Sequence, residues 1–180
     1  AEAEILTLRP VVDDDRIKQS LDDFFWKKLP ATDLDRAIKE VKPVGGRRKL
    51  TALNRFAETH QQPLSKWIVV GDSITDSRML QAVEQAGGLA VAFNANEYAL
   101  PYATVGLAST FISDLTEILQ TWQKGQRKGV EKTVREKEKA GGKEDRNYFH
   151  WLSGRKDIAE VIAIHKRIRR LVREEAGKLG

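Results

Sequence analysis

Two apolar runs, WIVVG at 67–71 and LAVAF at 89–93, bracket one helical stretch, and this limits the fold more than any other feature of the chain. Each run is continuous rather than alternating, the pattern of a strand covered on both faces. Between them SRMLQAVEQAGG is an amphipathic helix closed by Gly87 and Gly88, a common helix stop. Strand, helix, strand is a crossover unit, so the two strands are expected to run parallel. TVGLAS at 104–109 reads as a third strand, and FISDLTEILQTWQ as a helix capped by Ser109 or Thr110. The class is therefore α/β, with helices covering a parallel sheet. Three short strands make a thin sheet, and more sheet is expected beside WIVVG.

Upstream the pattern is helical. IKQSLDDFFWKKL, residues 17–29, has a bulky apolar face and stops at Pro30. DLDRAIKEV follows, with Thr32 as its cap, and RRKLTALNRFAETH forms a third helix with Leu50, Leu53, Phe56 and Ala57 on one side. AEILTLRPVV, residues 3–12, is strand-like, but Pro10 confines it to an edge or loop.

The chain of 180 residues carries a net charge of +5, unevenly spread. Residues 124–180 hold 17 Lys and Arg against 9 Asp and Glu, whereas residues 1–123 hold 14 against 17. The basic character belongs to the tail, which makes nucleic acid an unlikely partner of the body. There is no cysteine, which excludes disulfides, thiolate metal sites and cysteine nucleophiles, and fits a cytoplasmic location. No apolar run approaches the roughly 20 residues a membrane helix needs, so no membrane partner is expected. The chain opens on Ala1 without a Met or a basic, apolar leader, as expected of a gene that begins upstream and of a protein that is not secreted. KGQRKGVEKTVREKEKAGGKEDR, residues 124–146, reads as a solvated helix or flexible linker. Beyond it Ile158, Val161, Ile162, Ile164, Ile168, Leu171 and Val172 mark an amphipathic helix whose other face is basic. His150 and His165 are too far apart in sequence to propose a metal site.

Ligands in open α/β sheets bind beyond the carboxyl ends of the strands. Asp72 stands at that end of WIVVG, and Asp76 lies about one helical turn on, so both carboxylates can face one crevice. Carboxylates so close repel each other unless a cation intervenes, and Mg²⁺ is the natural oxygen-bound occupant. The plainer alternative is that Asp72 ends a strand while Asp76 caps the next helix.

The 28 residues VVGDSITDSRMLQAVEQAGGLAVAFNAN, 69–96, resemble the C-terminal signature of the haloacid dehalogenase superfamily of phosphohydrolases. In that signature a strand ends in Gly-Asp-x-x-x-Asp, and a helix, a Gly pair, a second strand and an Asn-rich loop follow. VKPVGGRRKLTAL, residues 41–53, resembles the segment that supplies the superfamily's Lys, which assigns Lys49, with Arg48 and Arg47 as rivals. Together these stretches are similar to a group of archaeal members. The resemblance implies a Rossmann-like parallel sheet and an Mg²⁺-dependent hydrolysis of a small phosphorylated substrate through an aspartyl-phosphate. It implies Asp72 as a metal ligand, and Asp76 as a second ligand or as the residue that holds a bound water or orients Asp72. Lys49 would damp repulsion at the phosphate, and Ser73, Asn94 and Asn96 would line the pocket.

The nucleophile that such a site needs, an Asp-x-Asp after an apolar strand, has no good match. Asp13 and Asp15 follow Pro10 and are followed by Arg16, and Asp33 and Asp35 fall in a helical pattern. The expected architecture is a cap-like helical insertion at 1–44, the C-terminal half of the core at 45–123, and a basic helical extension at 124–180. The N-terminal half would be a lost segment of the same protein, a separate chain, or absent from a degenerate member. A different class remains open: a non-catalytic binding or assembly protein that uses the basic C-terminal helix, with the apolar stripe from Ile158 to Val172 docking a partner or a second copy.

Overall fold

Asp14 and Asp15 lie in the first turn of α1 (Asp14–Asp23), the first helix among the described residues, where carboxylates complement the partial positive charge of a helix N-terminus. The helix widens into a π turn over Phe24–Lys28. Thr32 caps α2 (Asp33–Glu40): its hydroxyl accepts from the backbone N–H of Asp35 at 3.1 Å. The structure, a computed structural model, describes residues 14–30, 32–41, 44–141 and 147–177. It falls into two compact units, Ala1–Pro43 and Val44–Gly180. The strand-like stretch 3–12 and Asp13 lie outside the described residues. In the first unit Leu29 is buried, while Phe25, Trp26, Leu34, Ile38 and Val41 are exposed.

The second unit begins with α3 (Arg47–Thr59) and then builds a four-stranded sheet: β1 (Ile68–Gly71), α4 (Ser77–Gln85), β2 (Leu89–Phe93), β3 (Val105–Ala108), α5 (Leu115–Ala140), β4 (Tyr148–Trp151) and α6 (Ala159–Gly177). The strand order is β1-β2-β3-β4. The first three strands are parallel, with Val70 opposite Val91 and Ala92 opposite Gly106. β4 runs antiparallel to β3, with Gly106 opposite His150. The chain is thus a mixed α/β protein with a mostly parallel sheet.

Side-chain alternation on the sheet divides the core in two. Val69, Ala90 and Ala92 face Leu53 of α3, Leu80 and Val83 of α4, and Val161 of α6. Leu89, Val91, Val105 and Leu107 face Ile118, Trp122, Val130 and Val134 of α5, together with Phe149 and Trp151. The alanines of β2 leave room for large residues on the first face, and the branched residues fill the second.

Two expectations change here. Residues 124–180 are no extension: α5 continues through this polar stretch, bending at Gln126 (φ +50°), and buries Val130 and Val134. β4 and α6 then close the sheet inside the same unit. The apolar stripe of α6 is used in the same way, because Val161 and Ile168 are buried and Ile158 and Ile162 pack on the core. Those four residues are therefore not part of a free docking face for a partner or a second copy, while Ile164, Leu171 and Val172 are half-buried. The strand WIVVG is also less enclosed than its composition implies. β1 pairs with β2 alone among the described residues, and Val70 is 42% exposed. No helix among the described residues is long and apolar enough to cross a membrane.

Candidate functional site

Gly71 ends β1 because nothing larger fits: a Cβ there would lie 2.4 Å from Cβ of Asp76. The chain then makes a short 3-10 turn over Ile74–Asp76 before α4 begins. This turn brings the Asp76 side chain back over the end of the strand. Its Oδ2 accepts from the backbone N–H of Asp72 at 3.1 Å, the N–H of Ser73 at 3.2 Å and the Ser73 hydroxyl at 3.1 Å. Its Oδ1 accepts from Lys49 Nζ at 2.5 Å. Burial raises the Asp76 carboxyl, but the bonds from Lys49 and the two backbone N–H groups outweigh it and hold the group below the ordinary carboxylate range. Asp76 is therefore a buried, ionised carboxylate with both oxygens engaged.

Lys49 reaches this carboxylate because α3 is tied to the same turn. The Gly46 N–H donates to the Thr75 carbonyl at 2.9 Å, and Leu50 and Leu53 pack into the α4 side of the core. Of the three consecutive basic residues, Lys49 is the one whose cation lies on Asp76; it also approaches the Thr75 hydroxyl at 3.4 Å. The Ser73 and Thr75 hydroxyls are hydrogen-bonded to each other at 3.0 Å, so Ser73 belongs to the same cluster.

The Asp72 carboxylate points elsewhere. It is half exposed, and its Oδ2 meets the Arg169 guanidinium at 3.1 Å. Arg169 also donates to the backbone carbonyls of Asp72, at 2.8 Å, and Asn94, at 3.0 Å. One side chain of α6 thus ties the ends of β1 and β2. Sequence offered no signal for it: Arg169 is one of many cations on a basic helix, and it lies 97 residues from its partner.

The two asparagines part company. Asn96 donates its N–H to the Asp72 carbonyl at 2.9 Å and is half buried at the mouth of a cleft beside Arg169. Asn94, expected to line the pocket, turns inward. Its Nδ2 donates to the Ser109 carbonyl at 2.7 Å, and its Oδ1 accepts from the Ser109 N–H at 2.9 Å. The side chain continues the β2–β3 ladder past its last backbone pair, so only its backbone carbonyl faces the site.

For a divalent ion the donor set is narrow. Asp76 has both oxygens engaged and Asp72 Oδ2 is paired with Arg169, which leaves Asp72 Oδ1 as the carboxylate oxygen open to a metal. A magnesium ion held by one carboxylate, with waters and a substrate phosphate completing its shell, is a normal arrangement, and the residues present fit it in that form.

His150 and His165, far apart in sequence, lie side by side on β4 and α6 with ring centroids 5.9 Å apart. Their sequence separation hides this proximity, because antiparallel β4 returns along β3, on which α6 packs. His165 Nδ1 accepts from the Ala95 N–H at 3.0 Å, and burial pushes its pKa down to about 3.

A solved structure described as that of gene product AF1437 from Archaeoglobus fulgidus resembles this chain, with a TM-score of 0.65 and 26% identity. The match covers 99% of this chain and 54% of that one, so this chain spans about half the other's length. No protein-family model matches the chain, and no curated protein matches it.

Proposed function

We propose that this chain carries the lysine-and-metal half of a phosphohydrolase site of the haloacid dehalogenase type, acting on a small phosphorylated molecule with Mg²⁺. The observation that carries this reading is the Lys49–Asp76 pair at the tip of β1, with the half-exposed Asp72 carboxylate beside it. A lysine-bound carboxylate, Asp76, and the outward-turned Asp72 both stand at the end of a parallel strand, the position where α/β sheets bind ligands.

Each residue has a separate task in this reading. Asp76 fixes the turn by accepting the N–H groups of Asp72 and Ser73, so that Asp72 projects outward. Asp72 would hold the magnesium ion, which when bound withdraws charge from a phosphoryl oxygen. Lys49, held at the lip by Asp76, offers a cation to the phosphate. The nucleophilic carboxylate belongs to a strand absent from the described residues. The edge of β1 that is unpaired among the described residues and the exposed Val70 favour its docking there, and the neighbour of nearly twice the length supports a larger parent. The alternative of an assembly protein built on the C-terminal helix is weakened, because Ile158, Val161, Ile162 and Ile168 of its apolar stripe are taken up by the core.

The test is a phosphatase assay on para-nitrophenyl phosphate with Mg²⁺, using the chain alone and the chain with an N-terminal segment that carries Asp-x-Asp. The chain alone is expected to be inactive and the completed protein active. Turnover by the chain alone would contradict this division of the site.

A further inference from the structure

The basic face of α6 opens a cleft next to Asp72 that the site above does not use. Lys166, Arg169, Arg170 and Arg173 line it from one side, and Asn96 and Glu97 from the loop after β2; its volume is about 570 Å³. The four cations recur at helical spacing, so they share one face. Arg169 joins the cleft to the site, since its guanidinium bonds the Asp72 carboxylate and the Asp72 and Asn94 carbonyls. Lys166 is paired with Glu97 at 2.8 Å. Arg170 and Arg173 are exposed and carry no ion pair among the described residues. Glu97 and Glu174 are the carboxylates of the lining and Asp72 pairs with Arg169, which leaves the cleft one positive charge in excess. Arginine forks without partners at a concave surface suit a tetrahedral dianion.

We propose that this cleft is a subsite for a second phosphate, so that the ligand class is a small bisphosphate whose reacting group sits at Lys49 and Asp72. This rests on the phosphohydrolase reading and narrows it. Arg169 and Arg173 lie about 6 Å apart along the helix axis, which places the distal phosphate further along α6 from the reacting one. Nucleic acid would need a continuous basic track, and here carboxylates punctuate the cations within one short cleft.

Titration calorimetry of the full chain with fructose 1,6-bisphosphate and with fructose 6-phosphate, in Mg²⁺ and low salt, tests the subsite. The bisphosphate is expected to bind at least about tenfold more tightly. The double variant Arg170→Ala, Arg173→Ala should erase that advantage and leave the monophosphate unchanged, with an unaltered thermal melt. Lys49→Ala should weaken both esters. Equal affinity for the two esters, with Lys49→Ala still harmful, overturns the subsite and leaves the phosphohydrolase reading intact. Bisphosphate binding that needs the arginines but ignores Lys49→Ala overturns that reading, and the subsite with it. Tighter binding of oligouridylate than of the bisphosphate replaces the subsite with a nucleic-acid surface. No binding of either ester at millimolar concentration refutes both.

Discussion

The two ends of the sheet each hold a carboxylate–cation cluster, and they are built to opposite rules. At the end where β2 and β3 begin, Glu84 Oε2 accepts from Thr104 Oγ1 at 2.8 Å and Arg127 at 2.6 Å, while its Oε1 accepts from Ser153 Oγ at 2.6 Å. Arg127 also donates to the Gly88 carbonyl at 2.6 Å and lies over the Trp151 ring. Five segments meet in this staple, and neither charge has an open valence. At the other end Asp76 is equally saturated, but Asp72 beside it stays half exposed, and Lys49 stands at the rim with few other ties. Closed clusters hold a fold together. A cluster with one member turned outward has capacity left for a ligand.

The sharpest way to break this contrast is at the closed end. Arg127→Ala removes the Glu84 pair, the Gly88 carbonyl contact, the Ser153 bond and the Trp151 contact together. It leaves Glu84 part-buried without a cation, for an expected loss of about 3 kcal/mol in urea unfolding. A loss smaller than that of Lys49→Met would show that the staple is no more structural than the lip.

The next effect comes from pH. His165 has its folded pKa lowered from 6.5 to about 3, so the folded state prefers the neutral ring. That contribution is fully present above pH 6.5 and is lost as pH falls toward 3, amounting to roughly 2 kcal/mol by pH 5. His150 is shifted the same way, by burial against the opposing pull of Glu138. Asp76, held below its ordinary value, stays ionised over this range. Stability should therefore fall between pH 7 and pH 5 while the Lys49–Asp76 pair holds. His165→Asn, which can keep an acceptor for the Ala95 N–H, should flatten the stability slope. An unchanged slope would take the histidine out of the account.

Gly71→Ala sharpens the comparison at the lip. The new Cβ falls on Asp76, with contacts of 2.4 and 2.8 Å to its Cβ and Cγ, so the carboxylate must leave its backbone donors. The expected loss is about 1–2 kcal/mol, accompanied by loss of any magnesium-induced rise in melting temperature. Retention of that rise would mean that Asp76 does not orient Asp72.

The same contrast explains what could be read in advance. β1, β2, β3 and the helix between the first two announce themselves through continuous apolar runs and a Gly pair, and Asp76 and Lys49 through local order. The closed staple was invisible. Arg127 lies in a stretch whose glycines and charges resemble a linker, and its value depends on Glu84 and Ser153, 43 and 26 residues away. Arg169 was hidden for the same reason. Asn94 was misplaced because a polar loop residue can aim outward to a ligand or inward to a backbone, and only the position of Ser109 decides which.

The smallest stability effect should belong to the residue with the largest functional one. Lys49 bonds Asp76 and approaches Thr75, and its side chain is 31% exposed. When it is replaced by Met, the aliphatic stem still covers α3 and α4. Oδ1 of Asp76 gains water, while Oδ2 keeps its three donors. The loss should be about 1 kcal/mol, more than an exposed pair is worth because Asp76 is buried, yet below that of Arg127→Ala, since Oδ2 keeps its donors. Phosphate affinity, measured by calorimetry with inorganic phosphate and Mg²⁺, should fall by about tenfold or more, since one charge-assisted contact is removed. If Lys49→Met costs as much stability as Arg127→Ala and leaves phosphate affinity alone, the lip is a second staple, and the outward turn of Asp72 is a surface accident.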